Sequence, residues 1–298
     1  SRQCSFILTL YITMIDHFGT ITVLKNFLPL LGTLKKNTIV IKFGGAAMTD
    51  ITLIHDIIED IILLYNLGLK LIIVHGGGPM INFWLNKINI KPMFENGLRV
   101  TDEKTLEVVE MVLCGKINGE LVNLLNINNV QAIGLSGRDA GFIIANSVDD
   151  SSSNLIGKII SIDPTLINLL INNNYLPVVA PIASNLRGQS YNINADIVAG
   201  EIACAMNAHQ LIILTDTPGI LLEASDPTTL LSSLDTIKVK RLIHQNIITG
   251  GMLPKVNCCL KAISQGTSST HIIDGRVPHS LLLSLLTDYP IGSTIRSC

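Results

Sequence analysis

The sequence has no surplus of basic charge. Its 298 residues include 21 Lys and Arg against 23 Asp and Glu, which gives a formal net charge of −2. Proteins whose main partner is nucleic acid usually carry a clear cationic excess. Nucleic acid is therefore not expected as the main binding partner of this protein. Small anionic ligands stay possible, because the local field in a cleft can oppose the net charge.

Long hydrophobic runs are also missing. The apolar segment FILTLYITM (6–14) is much shorter than the ~20 residues that a transmembrane helix needs, and Asp16 follows soon after it. The basic region and small-residue cleavage site of a signal peptide are not clear. We expect an intracellular, soluble protein without membrane contact, whose first residues pack on the domain or on a partner subunit. The chain starts at Ser1 without Met, which leaves the true amino terminus open.

The six cysteines include no CxxC pair, and the adjacent Cys258 and Cys259 cannot easily bridge each other. Buried thiols in a reducing compartment are therefore expected, and a structural zinc site is not. The abundance of Ile and Asn hints at an AT-rich gene. This favours the stroma of a plastid (chloroplast) as the compartment, with bacterial cytoplasm as the alternative.

With 48% hydrophobic and 15% charged residues, the chain is globular and rich in core. Buried strands are predicted at TIVIKF, LKLIIV, VQAIGL, YLPVVAPI, HQLIILT and STHIID. Most of these runs are continuous rather than alternating, which is typical of parallel strands covered on both faces. Helical spacing lies between them, at 50–66, 102–126, 164–171, 195–206, 253–264 and 279–286. Alternating strands and helices predict a doubly wound, mainly parallel α/β sheet.

Several polar or turn-rich segments interrupt this pattern. Segments 146–158 and 223–235 are predicted to be loops or hairpins. Segment 87–101 contains Asn96-Gly97, a dipeptide that indicates a hairpin.

Two glycine-rich turns directly follow predicted strands. Gly44 and Gly45 follow TIVIKF, and three glycines, 76–78, follow LKLIIV and His75. A glycine turn between a strand and a helix exposes backbone N–H groups at the positive end of the helix dipole, which suits anions. Neither turn has the form GxxxxGK[ST] or GxGxxG, so the P-loop and dinucleotide hypotheses lose their main support. Because the carboxyl ends of parallel strands form the ligand crevice, a binding site is predicted there.

Two lysines accompany glycine turns. Lys42 precedes Gly44 by two residues and is predicted to point from the strand end into the crevice, although a solvated strand terminus would also explain it. Lys255 falls in the first turn of a helix that follows Gly250 and Gly251. A cation at this end of a helix is unfavourable unless an anion or solvent lies nearby.

Further polar residues occur where the crevice is predicted. Asn192, Asn194 and Asp196 alternate immediately before or within the start of an apolar helix. Helix capping is the ordinary explanation for one such residue, but it does not account for all three. Arg99 lies among apolar neighbours, and its planar guanidinium fits a carboxylate.

Eight segments in order resemble motifs of the amino-acid kinase family, and specifically of its acetylglutamate kinases. They are IVIKFGGAAM, VHGGGPMI, NGLRVTD, GLSGRDA, NINADIVAGEIA, LTDTPGIL, GGMLPKV and HIIDGRVPHSLLL. The resemblance runs from about Thr38 to the carboxyl end. It implies a three-layer αβα sandwich around a mainly parallel open sheet of about eight strands. It also implies an extension over 1–36, an acetylglutamate lobe over 37–208 and an ATP lobe over 209–298.

The implied activity is ATP-dependent phosphorylation of the side-chain carboxylate of N-acetyl-L-glutamate in arginine biosynthesis, with Mg²⁺ held mainly by the ATP phosphates rather than by protein ligands. Lys42 and Lys255 match the catalytic lysines that stabilise the transition state, and Asp196 matches the aspartate that orients them. Substrate contacts are implied at Gly77, Gly78, Arg99, Asn192 and Asn194. Nucleotide contacts are implied at Gly44, Gly45, Thr215, Asp216 and Gly251.

The resemblance also bears on assembly and regulation. VLKNFLPLLGTL (23–34) resembles the amphipathic helix that interlaces dimers of arginine-regulated relatives into a hexamer, so a homo-oligomer is expected, as a dimer or a hexamer. A PII signalling partner is known for plastid and cyanobacterial relatives. This chain has Ser284 where the family usually carries a glutamate that would suit an arginine guanidinium. The sequence therefore leaves inhibition by arginine open.

Two alternatives stay open beside this hypothesis. The chain could be another amino-acid kinase, acting on aspartate, carbamate or a nucleoside monophosphate. It could also be a catalytically silent, arginine-binding regulator that keeps the same fold, although Lys42, Asp196 and Lys255 argue against this.

Overall fold

The computed structural model describes residues 21–22, 25, 28–44, 48, 50–95, 97–148, 154–287, 289 and 291–298. The predictions for FILTLYITM, for Gly45 and for Asn96 fall outside these residues. Within the described part of the extension, residues 28–34 are helical, and Leu31 and Leu34 pack into the hydrophobic core.

The described strands are short and mostly apolar. They are β1 (Thr38–Phe43), β2 (Lys70–His75), β3 (Phe94–Glu95), β4 (Leu98–Arg99), β5 (Ala132–Ser136), β6 (Ile143–Ser147), β7 (Gly157–Ile162), β8 (Leu176–Ala180), β9 (Ile182–Ser184), β10 (Ser190–Asn192), β11 (Gln210–Thr215), β12 (Ser233–Asp235), β13 (Ser269–Asp274) and β14 (Ser293–Arg296).

The helices alternate with these strands, as the periodicity predicted. They are α1 (Ile51–Asn66), α2 (Gly78–Lys87), α3 (Glu103–Glu110), α4 (Asn118–Asn126), α5 (Thr165–Asn172), α6 (Ala195–Ala205), α7 (Thr236–His244), α8 (Met252–Ser264) and α9 (Ser280–Leu286). A π-helical segment, Met111–Ile117, joins α3 to α4. In the described part of the chain no helix is both long and apolar enough to cross a membrane.

Eight strands form the central sheet, in the order β12-β14-β13-β11-β1-β2-β8-β5. The six strands from β13 to β5 in this order are parallel to one another. β14 is antiparallel to β13 and parallel to the edge strand β12, so β12 and β14 run against the rest. The predicted mainly parallel sheet of about eight strands is confirmed. Residues 37–208 contribute β1, β2, β8 and β5 to this sheet, and residues 209–298 contribute β11, β13, β14 and β12.

Two separate hydrophobic cores cover the two faces of this sheet. Along β1, Ile39 and Ile41 face the core that contains α1 and the α3–α4 helix, whereas Val40 faces the core that contains α6 and α8. These side chains are fully buried, which explains why the strands read as continuous apolar runs. Helices on both faces make the molecule the three-layer αβα sandwich that was predicted.

A few predicted boundaries were wrong. YLPVVAPI was predicted to be one strand, but it divides at Pro181 into β8 and β9, which belong to different sheets. Proline has no N–H to give to a ladder, so a strand usually ends or changes partner there. The second sheet has the order β10-β9-β6-β7, and β3 pairs with β4 in the predicted hairpin. The second polar interruption contains the short strand β12.

The described cysteines are free thiols, as expected, but they are not all buried. Cys258 and Cys259 are buried, Cys114 and Cys204 are half-buried, and Cys298 is exposed. Cys4 lies outside the described residues.

The reversed strand β14 depends on a glycine that approaches the neighbouring backbone. Gly292 has φ +74°, and an added Cβ would lie 2.2 Å from the carbonyl oxygen of Ile272. We expect Gly292→Ala to lower the free energy of unfolding by at least about 2 kcal/mol, because backbone strain and a backbone clash add. Urea unfolding followed by circular dichroism measures this change.

Gly188→Ala is the matched control for this substitution. Gly188 also has a left-handed backbone, with φ +85°, but no atom lies within 4 Å of its added Cβ. It should cost only the backbone strain, about 1 kcal/mol. Equal losses in the two variants would show that the close approach at Gly292 has no energetic effect.

Candidate active site

A cleft opens at the carboxyl ends of the central strands, where the crevice was predicted. Its volume is about 330 Å³. Lys42 near the end of β1, the glycine turn after β2 and two residues at the end of β11 line it together with the β3–β4 hairpin and the start of α6. In open α/β sheets ligands bind at such strand ends. The cleft brings together most of the residues that the sequence singled out.

One buried carboxylate holds two lysines inside this cleft. Lys42 Nζ lies 3.1 Å from Asp196 Oδ1, and Lys255 Nζ donates to Asp196 Oδ2 at 2.8 Å. The side chains of Lys42 and Asp196 are 8% and 5% exposed, and that of Lys255 is 18% exposed. The cluster therefore carries one net positive charge in a poorly hydrated place. An anion that enters the cleft would complete its neutralisation.

The charge state of Asp196 follows from two opposed effects. Burial alone would raise the pKa of its carboxyl, but the charges of Lys42 and Lys255 and their hydrogen bonds outweigh burial and hold the pKa below its usual range. Because the folded value lies below the ordinary 3.8, this contribution to stability is present above that pH. It is lost as the pH falls through the folded pKa.

Three different elements position the cluster. Lys42 is the fifth residue of β1, and Lys255 lies in the first turn of α8. Asp196 lies in the first turn of α6, where its N–H donates to the capping side chain Asn194 Oδ1 at 2.7 Å. Helices α6 and α8 pack so closely that an added Cβ at Gly200 would lie 2.8 Å from Cys258 Cβ. This close packing brings Lys255 to Asp196.

The two glycine turns touch each other beside the lysines. The Gly76 N–H donates to the Phe43 carbonyl at 2.7 Å, which links the turn after β2 to the end of β1. An added Cβ at Gly44 would lie 2.6 Å from Lys42 Nζ, so a side chain there would displace the ammonium group. An added Cβ at Gly77 would meet Ile117 Cδ1 at 2.5 Å. Glycine is therefore needed at Gly44 to leave room for the Lys42 ammonium group and at Gly77 to leave room for Ile117.

The amides of the second turn begin helix α2. The first helical hydrogen bond of α2 runs from Ile81 N–H to Gly77 O at 2.9 Å. The N–H groups of the preceding residues therefore have no partner within the helix. Gly77 and Gly78 both line the cleft, at the positive end of the helix dipole. This arrangement suits an anionic ligand.

Arg99 supplies a second positive group, from β4. It is 8% exposed, its guanidinium lies 4.7 Å from the Phe94 ring centroid, and Nη2 donates to Gly78 O at 3.3 Å. Burial lowers the pKa of Arg99. Nη1 is buried without a hydrogen-bond partner among the described atoms. A buried donor without a partner is costly, and a carboxylate in the cleft would satisfy it.

The remaining predicted residues occupy different places. Asn192 ends β10 and donates to Thr101 Oγ1 at 3.2 Å, and both Asn192 and Asn194 line the cleft. Thr215 and Asp216 line it from the end of β11. Gly251 caps α8 and is not among the described residues that line the cleft. Gly44 is not among the lining residues either. The nucleotide contacts implied for Gly44, Gly45, Thr215, Asp216 and Gly251 all stay predictions.

Two buried residues under the cleft were not assigned any role from the sequence. Asn118 Nδ2 lies 3.1 Å from His75 Nε2, and His75 Nδ1 lies 2.9 Å from Gly76 O. His75 was visible as the residue before the three glycines, but Asn118 lies 43 positions away along the chain. A polar residue on the apolar stripe of a predicted helix was the available signal.

Comparison with known proteins agrees with this architecture. The amino acid kinase family model matches residues 37–274, and the chain belongs to that family. Acetylglutamate kinase from Gracilaria tenuistipitata var. liui is 50% identical over 95% of this chain and 99% of its own length. Acetylglutamate kinase from Thermosynechococcus vestitus is 47% identical over 95% of this chain and 96% of its own length.

A solved structure extends the comparison to the fold. N-acetylglutamate synthase from Neisseria gonorrhoeae, in complex with coenzyme A and N-acetyl-glutamate, superposes with a TM-score of 0.82 at 21% sequence identity. The match covers 93% of this chain and 63% of the synthase chain. At this identity the likeness concerns the fold alone.

The carboxylate of Asp196 should be essential for stability as well as for the geometry of the site. Asp196→Asn removes the charge that faces two poorly solvated ammonium groups, and we expect the free energy of unfolding to fall by about 3 kcal/mol. Urea unfolding at pH 7 measures it. Glu201→Gln, which breaks the more exposed ion pair with Lys261, should cost less than about 1 kcal/mol. An Asp196→Asn loss no larger than that of Glu201→Gln would contradict the role given to this carboxylate.

Proposed function

We propose that this chain catalyses ATP-dependent phosphorylation of the side-chain carboxylate of N-acetyl-L-glutamate. The product is N-acetyl-L-glutamyl 5-phosphate, the second intermediate of arginine and ornithine biosynthesis. The observation that carries the proposal is that one cleft contains the Lys42–Asp196–Lys255 cluster and the unpartnered Nη1 of Arg99. The curated acetylglutamate kinases at 47–50% identity support the same activity.

The acceptor needs no general base. A glutamate-type carboxyl has a pKa near 4.3 and is ionised at pH 7. One of its oxygens attacks the γ-phosphorus of ATP, the bond from that phosphorus to the β–γ bridging oxygen breaks, and ADP leaves with the electron pair. The difficulty is the approach of one anion to another. Phosphoryl transfer of this kind depends on positioning and on stabilisation of charge.

The lysine cluster supplies this stabilisation in our proposal. Lys42 and Lys255 approach the transferring phosphoryl group from two sides, while Asp196 pairs with both ammonium groups and holds them in the cleft. The amides of Gly77 and Gly78 hold oxygens in line. Preorganised groups of this kind are each worth about 3–4 kcal/mol in the activation barrier.

Arg99 binds the fixed α-carboxylate of acetylglutamate in this scheme. The Nη1 donor is already buried and has no partner among the described residues, and Nη2 donates to Gly78 O. The guanidinium is therefore oriented before the substrate arrives. Asn192 and Asn194 line the same side of the cleft and offer amide groups to the substrate.

The nucleotide enters from the side of β11, where Thr215 and Asp216 line the cleft. Gly44 lies beside Lys42, where backbone can approach a phosphate closely. This placement supports a division into an acetylglutamate lobe over 37–208 and an ATP lobe over 209–298. The lobes then share the central sheet and meet at the β1–β11 pair.

Mg²⁺ accompanies ATP in kinases, where it neutralises charge on the β- and γ-phosphates. The cleft fits an ion that the phosphates carry. Among its described lining residues the carboxylates are Asp196 and Asp216, and Asp196 is already paired with two lysines. Asp216, which accepts a hydrogen bond from Thr215 Oγ1 at 3.3 Å, does not by itself make a protein cage, but it can assist a phosphate-bound ion.

Location, assembly and regulation belong to the same hypothesis. Relatives from red algae and cyanobacteria support a plastid location. We keep a homo-oligomer built through residues 1–36 as part of the proposal, with PII as a possible partner. Arginine control has less support, because Ser284 borders a polar cavity whose described lining includes Arg296 and His271 and no carboxylate.

Turnover of ATP with acetylglutamate tests the function directly. ADP release is measured with and without acetylglutamate, and the acyl phosphate is trapped with hydroxylamine as a hydroxamate. Acetylglutamate-dependent ADP release with matching hydroxamate supports the proposal. Greater turnover with aspartate, carbamate or a nucleoside monophosphate would identify another kinase of the family, and no turnover with any of them would favour a silent regulator.

Lys42 should contribute mainly to the rate. Lys42→Ala removes one ammonium group from the transition state, and we expect kcat to fall by a factor of about 100 or more. Lys70→Ala is the matched control, because Lys70 begins the adjacent strand β2, at the end of the strands opposite to the cleft. It should leave kcat unchanged. A folded Lys42→Ala enzyme with near-normal kcat would remove Lys42 from the mechanism.

Arg99 should contribute mainly to affinity. Arg99→Lys keeps the charge but loses the planar fork that fits a carboxylate, so we expect KM for acetylglutamate to rise by about tenfold or more, with a smaller change in kcat. Steady-state kinetics at saturating ATP measure both. Arg187→Lys, in an exposed turn, is the control. An unchanged KM in Arg99→Lys would refute the assignment.

A further inference from the structure

Resting on the proposed function, we propose that His75 and Asn118 form a positioning pair that fixes the Gly76–Gly77 peptide and so directs the Gly77 N–H into the cleft. Neither side chain is among the residues that line the cleft. They act through the glycine turn, and they are therefore positioning residues rather than catalytic ones.

The hydrogen-bond chain under the turn has a defined direction. Asn118 Nδ2 lies 2.9 Å from Val178 O, a carbonyl that can only accept, and 3.1 Å from His75 Nε2. An amide nitrogen has two hydrogens and can donate to both. His75 Nε2 therefore accepts, and the ring hydrogen is on Nδ1, which donates to Gly76 O at 2.9 Å.

The histidine is held in the neutral form that this chain of bonds requires. His75 is fully buried, and burial lowers its pKa to about 4, although the bond to Gly76 opposes the shift. At pH 7 the ring is therefore neutral, with one donor and one acceptor. An ordinary buried histidine needs only satisfied bonds. In His75 the Nδ1 donor is bonded to Gly76 O, the carbonyl of the same peptide group as the Gly77 N–H at the cleft.

Peptide planarity carries the effect from the carbonyl to the cleft. In a trans peptide the C=O of one residue and the N–H of the next point in opposite directions. With Gly76 O held toward the buried His75 ring, the Gly77 N–H points away from the ring. Gly77 lines the cleft beside Lys42. Glycine has a wide range of accessible conformations, so this peptide needs an external contact to stay in one orientation.

The π-helical segment supports the same glycine from a second side. Leu113 and Ile117 belong to this segment and pack so close to Gly77 that an added Cβ would lie 2.6 and 2.5 Å from their methyl groups. Asn118 follows the segment immediately and is 5% exposed. π-Helical turns occur frequently at functional sites. Here the π-helical segment positions Leu113 and Ile117 against Gly77, and it places the side-chain amide of Asn118 near His75.

The sheet also leaves space for the Asn118 side chain. A Cβ added at Gly134 of β5 would lie 1.9 Å from Asn118 Oδ1, so no other residue is compatible with the amide in this position. The pair is therefore enclosed by β2, β5, β8 and the π-helical segment. Four elements converge on two polar side chains that are linked to the cleft through the bond to Gly76 O.

Two substitutions at His75 separate the two bonds. In His75→Asn the side-chain amide occupies the place of Nδ1 and can still donate to Gly76 O, while the bond to Asn118 is lost. In His75→Gln the amide reaches the place of Nε2 and keeps the contact with Asn118, while the bond to Gly76 O is lost. We expect His75→Gln to lower kcat at least tenfold with KM for acetylglutamate within about twofold of wild type, and His75→Asn to retain most of kcat.

A buried histidine outside the cleft is the control. His271, on β13, is 6% exposed and bonds to Ser269 Oγ at 2.9 Å, so His271→Gln should lower the unfolding free energy without changing kcat. Equal kcat losses in the two His75 variants, or no loss in either, would overturn the positioning role. A wild-type protein with no acetylglutamate-dependent turnover would instead refute the proposed function.

Nitrogen-15 NMR of the histidine rings in the wild-type protein tests the pair even if His75→Gln fails to fold. The expected result is a neutral His75 ring with its hydrogen on Nδ1 down to about pH 5. A ring with its hydrogen on Nε2, or one protonated at pH 7, would overturn the proposal independently of any activity.

Discussion

Two ammonium groups that share one buried carboxylate are the contact on which the rest of this site depends. Lys42 comes from the central strand β1 and Lys255 from a helix 213 residues later along the chain; both reach Asp196 at hydrogen-bonding distance. Alone, either lysine would be costly to hold in so poorly hydrated a place. Together with Asp196 they keep a single excess positive charge, and an anionic reactant pair can use it. This cluster also requires glycine at position 44, because a side chain there would occupy the position of the Lys42 ammonium group.

The fold makes this contact possible because the carboxyl ends of parallel strands lie side by side at one end of the sheet. β1, β2 and β11 are hydrogen-bonded neighbours, so Lys42, the glycine turn after His75 and Thr215 are adjacent although they are far apart in the sequence. The two helices that carry Asp196 and Lys255 pack on the same face at Gly200. The opposite face carries the π-helical segment, which packs against Gly77, and Asn118, which bonds to His75 directly before the glycine turn. Helices on both faces of the sheet thus position residues of the cleft.

The sequence predicted the elements with strong local signals and missed those that depend on distant contacts. Continuous apolar runs predicted β1, β2 and β11 correctly, because strands buried on both faces need apolar side chains at every position. The polar residues around Asp196 were noticed because capping explains only one of them, and the structure shows that Asn194 is the cap. The pairing of His75 with Asn118 was not predictable, since no local pattern joins residues on separate elements. The division at Pro181 was missed because the apolar run continues through the proline, although the missing N–H was a usable warning.

A double-mutant cycle on kcat, with Lys42→Ala, Lys255→Ala and the double variant, tests most directly whether the two lysines act as one unit through Asp196. Removing either lysine changes the partner of the shared carboxylate and misdirects the other ammonium group. The account therefore predicts that the double variant loses little more activity than the more damaging single variant, as groups that act as a unit do. Losses that multiply, so that the double variant shows the product of the two single effects, would mean that the lysines act independently and would contradict the account.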